Sequence, residues 1–140
     1  MGRINSITCK NCGYHKELYE GAGMISFARC KQLEQDILDG SVVNPEALKL
    51  LKKGHGINIR AAYLCPACKE FVNDNTMYMR DNVTISPYGS VRYEVKYPFG
   101  KPVCKVCGSE LEYIKNIRSS NVKCPKCNGD LKSRVAGYVD

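Results

Sequence analysis

Long apolar runs are missing from this chain. No stretch approaches the roughly 18 consecutive apolar residues that cross a bilayer, so no membrane-spanning helix is expected. The start, Met1-Gly-Arg-Ile-Asn5, has no apolar segment behind a basic one, so no secretory signal is expected either. Phosphate-cradling loops are also missing. Gly21-Ala-Gly23 and Gly54-His-Gly56 match neither Gly-x-x-x-x-Gly-Lys nor Gly-x-Gly-x-x-Gly, and they read as turns. Carboxylates are scattered, with no pair placed for acid–base work, and no low-complexity segment interrupts the 140 residues. These absences point to a cytoplasmic chain that is not an enzyme.

What is abundant is cysteine. Cys-x-x-Cys occurs at Cys9/Cys12, Cys65/Cys68, Cys104/Cys107 and Cys124/Cys127, which uses eight of the nine cysteines and leaves Cys30 over. Two thiols three residues apart bend round one ion, and two such knuckles complete a tetrahedral sulfur cage. Four knuckles predict two ions. In a cytosolic chain this spacing indicates metal binding and not disulfides. A chain of this length holds one ordinary domain or two small ones, and small domains commonly recruit a metal in place of a large core.

The formal charge of +7 suggests nucleic acid, but it counts thiols as neutral. Metal-bound cysteines are thiolates. Eight thiolates subtract eight charges and two divalent ions return four, leaving a loaded chain near +3. Residues 1–100 carry 13 Lys/Arg against 10 Asp/Glu, and 101–140 carry 8 against 4. Most of the apparent phosphate-binding footprint disappears in that count.

Along the chain, 5–14 reads as a strand entering a knuckle, with Gly13 supplying a permissive backbone after the second cysteine. Glu17–Met24 reads as a strand breaking into a glycine loop. Ser26 is the expected cap of a helix over 27–39 ended by Gly40, with Phe27, Cys30, Leu33, Ile37 and Leu38 on its apolar face. A second helix has Asn44 as cap, Pro45 first, an acidic start at Glu46, a basic end at Lys52 and Lys53, and Gly54 after it. Ile57–Leu64 reads as a strand. Phe71-Val72 and Met77–Met79 read as two more, around a turn at Asn73-Asp-Asn75. The alternation Val91, Tyr93, Val95, Tyr97 marks a half-buried strand, which Pro98-Phe-Gly-Lys-Pro102 stops. That turn is the expected boundary between modules 1–100 and 101–140. The second module reads as a strand through Leu111 to Ile114, a polar turn at Arg118–Asn121 and a strand through Val122.

Sixteen residues separate Cys107 from Cys124, which is zinc-ribbon spacing with room for one hairpin. Fifty-two separate Cys12 from Cys65, enough for a two-helix insertion over about 26–54, since loop closure grows only slowly in cost. Sequential pairing is therefore expected: Cys9, Cys12, Cys65 and Cys68 in site 1, and Cys104, Cys107, Cys124 and Cys127 in site 2. The rival arrangement crosses first with third and second with fourth knuckles.

Residues 103–131, with Cys-x-x-Cys-Gly, a Leu/Tyr/Ile strand and Cys-Pro-x-Cys-x-Gly, resemble the C-terminal zinc ribbons of small bacterial and archaeal proteins. Cys9-Lys-Asn-Cys-Gly-Tyr-His with Cys65-Pro-Ala-Cys68 resembles a rubredoxin-type knuckle pair. Together they resemble bacterial double zinc-ribbon proteins, whereas the Cys-x-x-Cys-x-Gly-x-Gly repeat of chaperone zinc domains is not matched. The expected fold is a small metal-stabilised α+β chain of two zinc-ribbon modules, the first with the helical insertion. Four thiolates suit Zn2+ or a single iron. Two zinc ions are expected, with iron as the alternative at site 1, where a rubredoxin-like electron carrier is the redox reading. The absence of tryptophan and the basic balance speak against that reading.

The remaining residues are read plainly. Cys30 is a buried core thiol, His15 a surface residue beside the ligands, and His55 a loop residue. Lys49, Lys52 and Lys53 are the solvated face of a helix. Lys105, Tyr113, Lys115, Arg118, Lys123 and Lys126 form a basic, aromatic-bearing stretch that suits single-stranded nucleic acid. The expected role is a non-catalytic interaction module or adaptor with a protein partner, and nucleic-acid binding is the alternative.

Overall fold

A computed structural model of the chain describes residues 2–21, 23–80, 84–85, 91–92, 95–114 and 123–139. Lys115, Arg118, the turn at 118–121, Val122, Tyr93 and Glu94 lie outside the described residues. Strands β1 (Gly2–Cys9) and β2 (His15–Glu20) form a hairpin round the first knuckle. Helices α1 (Met24–Leu38) and α2 (Pro45–Lys52) follow. A longer hairpin, β3 (Gly56–Cys65) and β4 (Glu70–Arg80), surrounds the second knuckle. Then come β5 (Thr84–Ile85) paired with β6 (Val91–Arg92), β7 (Val95–Lys96), β8 (Glu112–Tyr113) and β9 (Leu131–Val139).

The strands make two main antiparallel sheets, ordered β2-β1-β9 and β7-β4-β3-β8. Alternation along β3 and β4 sends side chains to opposite faces of the second sheet. Ala62 and Phe71 face the first sheet and meet Ile7, Leu18 and Ile114, with Leu131 packed alongside. Ala61, Tyr63, Cys65 and Tyr78 face the other way and meet Cys104 and Leu111, with Val95, Tyr97 and Tyr113 around them. A third cluster docks the helices on the far end of the hairpin through Cys30, Ile37, Ala47, Leu50, Ile57 and Met79. The Pro98–Pro102 turn is present, with Gly100 at φ 110°. Across it, however, strands from both halves of the chain share both sheets, since β8 pairs with β3 and β9 with β1.

Helix α2 begins and ends where its signals say. Asn44 Oδ1 accepts the Ala47 N–H at 3.0 Å, and Pro45 opens the helix. Helix α1 departs from expectation. It starts at Met24 behind Gly23, whose carbonyl accepts the Phe27 N–H at 2.8 Å, so Ser26 is not its cap. Cys30 and Ile37 are buried and Leu33 partly so, but Phe27 and Leu38 face solvent. The packed arc is narrower than the apolar pattern implied.

Strand β4 is continuous where two pieces and a turn were expected. Asn73–Asn75 sits at a bulge opposite Arg60, which adopts φ 68°. The turn-forming side chains serve that bulge: Asp74 Oδ1 accepts the Thr76 N–H at 2.8 Å, and Arg60 Nε donates to Asn75 Oδ1 at 3.3 Å. Asn73 accepts the Tyr19 N–H at 2.8 Å and donates to the Glu17 carbonyl at 3.2 Å, which ties β2 to β4. Strand β9 was not expected at all, yet it pairs along the full length of β1, from Gly2↔Val139 to Cys9↔Leu131.

Candidate metal centres

Each knuckle is the loop of a tiny hairpin, and all four are built alike. The carbonyl of the first cysteine accepts the N–H four residues on: Gly13 on Cys9, Lys69 on Cys65, Gly108 on Cys104 and Asn128 on Cys124, at 2.8–3.0 Å. Those four donor residues all have positive φ: 77°, 52°, 76° and 61°. Glycine adopts that conformation freely, asparagine tolerates it, and lysine pays about 1–2 kcal/mol. The hairpins close at Thr8↔His15, Cys65↔Glu70, Val103↔Glu110 and Lys123↔Asp130. In each knuckle the first cysteine is buried and the second exposed.

The knuckles associate in a nested order. Cys9 and Cys12 meet Cys124 and Cys127 in an outer centre, and Cys65 and Cys68 meet Cys104 and Cys107 in an inner one. Neither the sequential pairing nor its crossed rival has this order. The ribbon read from the Cys107–Cys124 spacing is divided between the two centres, and so is the rubredoxin-like pair. Strand β9 is the cause: it begins just after the fourth knuckle and runs antiparallel to β1, which ends at the first. Closing the outer loop is affordable on chain entropy alone. Its nearest sulfurs are 112 residues apart and those of the inner centre 36 apart, a difference of about 1 kcal/mol.

The sulfur spacing fits a tetrahedral ion. Metal–sulfur bonds of about 2.3 Å place sulfurs about 3.8 Å apart. Cys9–Cys127 and Cys12–Cys124 are 3.4 and 3.6 Å apart, and Cys65–Cys107 and Cys68–Cys104 are 3.5 and 4.0 Å apart. Within each centre all four Sγ atoms lie within 4.8 Å of one another.

The electrostatics ask for a cation. The Ser109 hydroxyl and amide hold Cys107 down at about 6, and the Cys12 amide, with that of Asn11, holds Cys9 at about 7. The neighbouring sulfurs Cys107 and Cys65 push Cys68 up to about 12. Cys127 rises to about 12 as well: the Gly129 amide pulls it down, but Cys9 and Cys12 outweigh it. Each cage therefore has thiols ready to ionise beside thiols that their neighbouring sulfurs hold protonated. A divalent ion removes that conflict.

One carboxylate links the two centres. Glu70, just after the inner knuckle, accepts the Tyr14 hydroxyl and the Phe71 N–H and pairs with Lys126 at 3.5 Å. Tyr14 follows Cys12 and Lys126 lies within the Cys124–Cys127 knuckle, so Glu70 ties both outer knuckles to β4. Burial and the Glu70 charge raise the Tyr14 hydroxyl well above the usual phenol range.

Of the basic stretch, Lys105, Tyr113, Lys123 and Lys126 are described. Lys123 pairs with Asp130, and Lys126 with Glu70. Tyr113 packs its ring 5.9 Å from Tyr63 and 5.8 Å from Tyr78, so it is not a free stacking platform. Lys105 is exposed. His15 is exposed and bonds Thr8 at 3.2 Å. Cys30 is buried, and burial first, then Glu34, raises its thiol. His55 is buried, with neither ring nitrogen partnered among the described residues, where an ordinary loop residue was expected. No described helix is long and apolar enough to cross a membrane. Neither protein-family models, nor curated proteins, nor solved structures give a match to this chain.

Proposed function

We propose that this chain is a non-catalytic adaptor whose shape is set by two structural zinc ions and whose surface binds another protein. The observation that carries the reading is the closure of both cages. At each centre four cysteine sulfurs at tetrahedral spacing would fill every coordination position of a bound zinc ion and leave none for water or substrate. Zinc is the usual occupant of such closed four-sulfur sites, and binding of order 10–16 kcal/mol per ion in small peptides compares with a domain's whole net stability of about 5–15 kcal/mol. Pairing of Lys123 and Lys126 with carboxylates supports a protein partner over nucleic acid.

The test is co-purification of tagged, metal-loaded chain from its source cells with metal analysis of the product. Two zinc ions and one stoichiometric protein partner, lost with Cys104→Ser or Cys124→Ser, are expected. A red, iron-containing protein would replace this reading with electron transfer. Salt-sensitive retention on DNA or RNA without a protein partner would replace it with nucleic-acid binding.

A further inference from the structure

Helix α2 buries Ala47 and Leu50 and turns the opposite face to solvent. There the exposed Pro45, Lys49, Lys52 and Lys53, with the half-buried Leu48 that also packs on the helical core, line a groove of about 390 Å3. Pro45, Leu48, Lys49 and Lys52 follow the i, i+3, i+4, i+7 spacing of one helical stripe. Val43, two residues before the helix, is 86% exposed. Among the described residues none of the three lysines meets a carboxylate, in contrast to Lys31, Lys101, Lys123 and Lys126. The groove therefore pairs an apolar floor with an unneutralised cationic rim.

We infer that this groove is where the adaptor docks an acidic protein segment, one with two or three carboxylates around a single apolar side chain. The inference rests on the adaptor reading and specifies its partner. The carboxylates meet Lys49, Lys52 and Lys53, and the apolar side chain covers Pro45 and Leu48. A phosphate backbone matches the surface less well: no aromatic side chain lines the groove for base stacking, and phosphates gain nothing from the apolar floor.

The test is selection of random twelve-residue peptides displayed on phage against the zinc-loaded full chain. The same selection is run on K49E/K52E/K53E, with both proteins first shown by native mass spectrometry to hold two ions. Wild type is expected to enrich peptides with at least two Asp or Glu flanking an apolar residue. Those peptides should bind the triple variant at least about tenfold more weakly, and less tightly as salt rises. They should shift amide resonances within 43–53. Enriched peptides that bind both proteins equally would overturn the groove and leave the adaptor reading standing. No enrichment on either protein would overturn both. Tighter binding of a twelve-residue oligothymidylate to the same amides would overturn the groove's assignment to a peptide.

Discussion

In the outer centre two knuckles 112 residues apart in sequence meet at one end of a long backbone ladder, β1 with β9. In the inner centre knuckles 36 residues apart are joined, among the described residues, by the short β3–β8 pairing, Tyr63↔Tyr113 and Leu64↔Glu112, extended by one bond from the Ile114 N–H to the Ala62 carbonyl at 3.1 Å. What holds the inner centre is instead its cluster, with Cys65 and Cys104 packed among Tyr63, Tyr78 and Leu111. The four knuckles are locally interchangeable, so the local motif fixes how sulfurs are presented and not which ones meet. Pairing is decided by the strands beside each knuckle, through hydrogen bonding in one case and apolar burial in the other.

That contrast can be broken most forcefully by ending the chain at Asp130. The truncation removes every β1–β9 pair while keeping all eight ligands. Chelator titration should then strip the outer ion first and leave the inner one, whereas equal loss of both would show that the ladder does not govern the outer centre. The converse change is Leu111→Ala, which opens a cavity beside Cys65 and Cys104. It should cost about 2–5 kcal/mol in denaturant melts and weaken the inner ion preferentially. Preferential weakening of the outer ion would contradict the assignment of the cluster to the inner centre.

Gly129→Ala sharpens the comparison from the outer side. A Cβ there would lie 2.6 Å from Asn11 Nδ2 and 3.2 Å from Cys127 Sγ. Overpacking of this kind costs about 1–3 kcal/mol, and adding Asn11→Ala should recover part of it. No recovery would mean that the two outer knuckles are not in contact. The smallest effect expected is at Lys69, the non-glycine inner knuckle residue held at φ 52°. Lys69→Gly trades about 1–2 kcal/mol of left-handed strain against about 0.5–1 kcal/mol of added chain entropy. Thermal melts should show a stabilisation of about 1 kcal/mol or less, and a clear destabilisation would mean that the lysine side chain contributes a contact of its own.

What was legible in the sequence is what local chemistry controls. The knuckles, the Asn44–Pro45 helix start, the buried Cys30 and the glycine at Gly13 follow from residue types acting within a few positions. Strand β9 escaped because Ala136 and Gly137 dilute its alternation, and without it the short Cys107–Cys124 spacing looked decisive. Asn73–Asn75 escaped because the same asparagine and aspartate chemistry that closes turns also satisfies a bulge inside a strand. The start of α1 escaped because Gly23 serves as its cap without a side chain. In each case a partner distant in sequence, or a backbone with no side-chain marker, decided the outcome.

The nested pairing is the central claim, and chelator competition read by native mass spectrometry tests it most directly. Cys9→Ser with Cys127→Ser removes two ligands from one centre and should leave a single ion held as tightly as in wild type. Cys9→Ser with Cys65→Ser takes one ligand from each centre and should weaken both ions. The reverse, one intact ion in the second pair of substitutions and two impaired ions in the first, would contradict the nested arrangement and restore the sequential one.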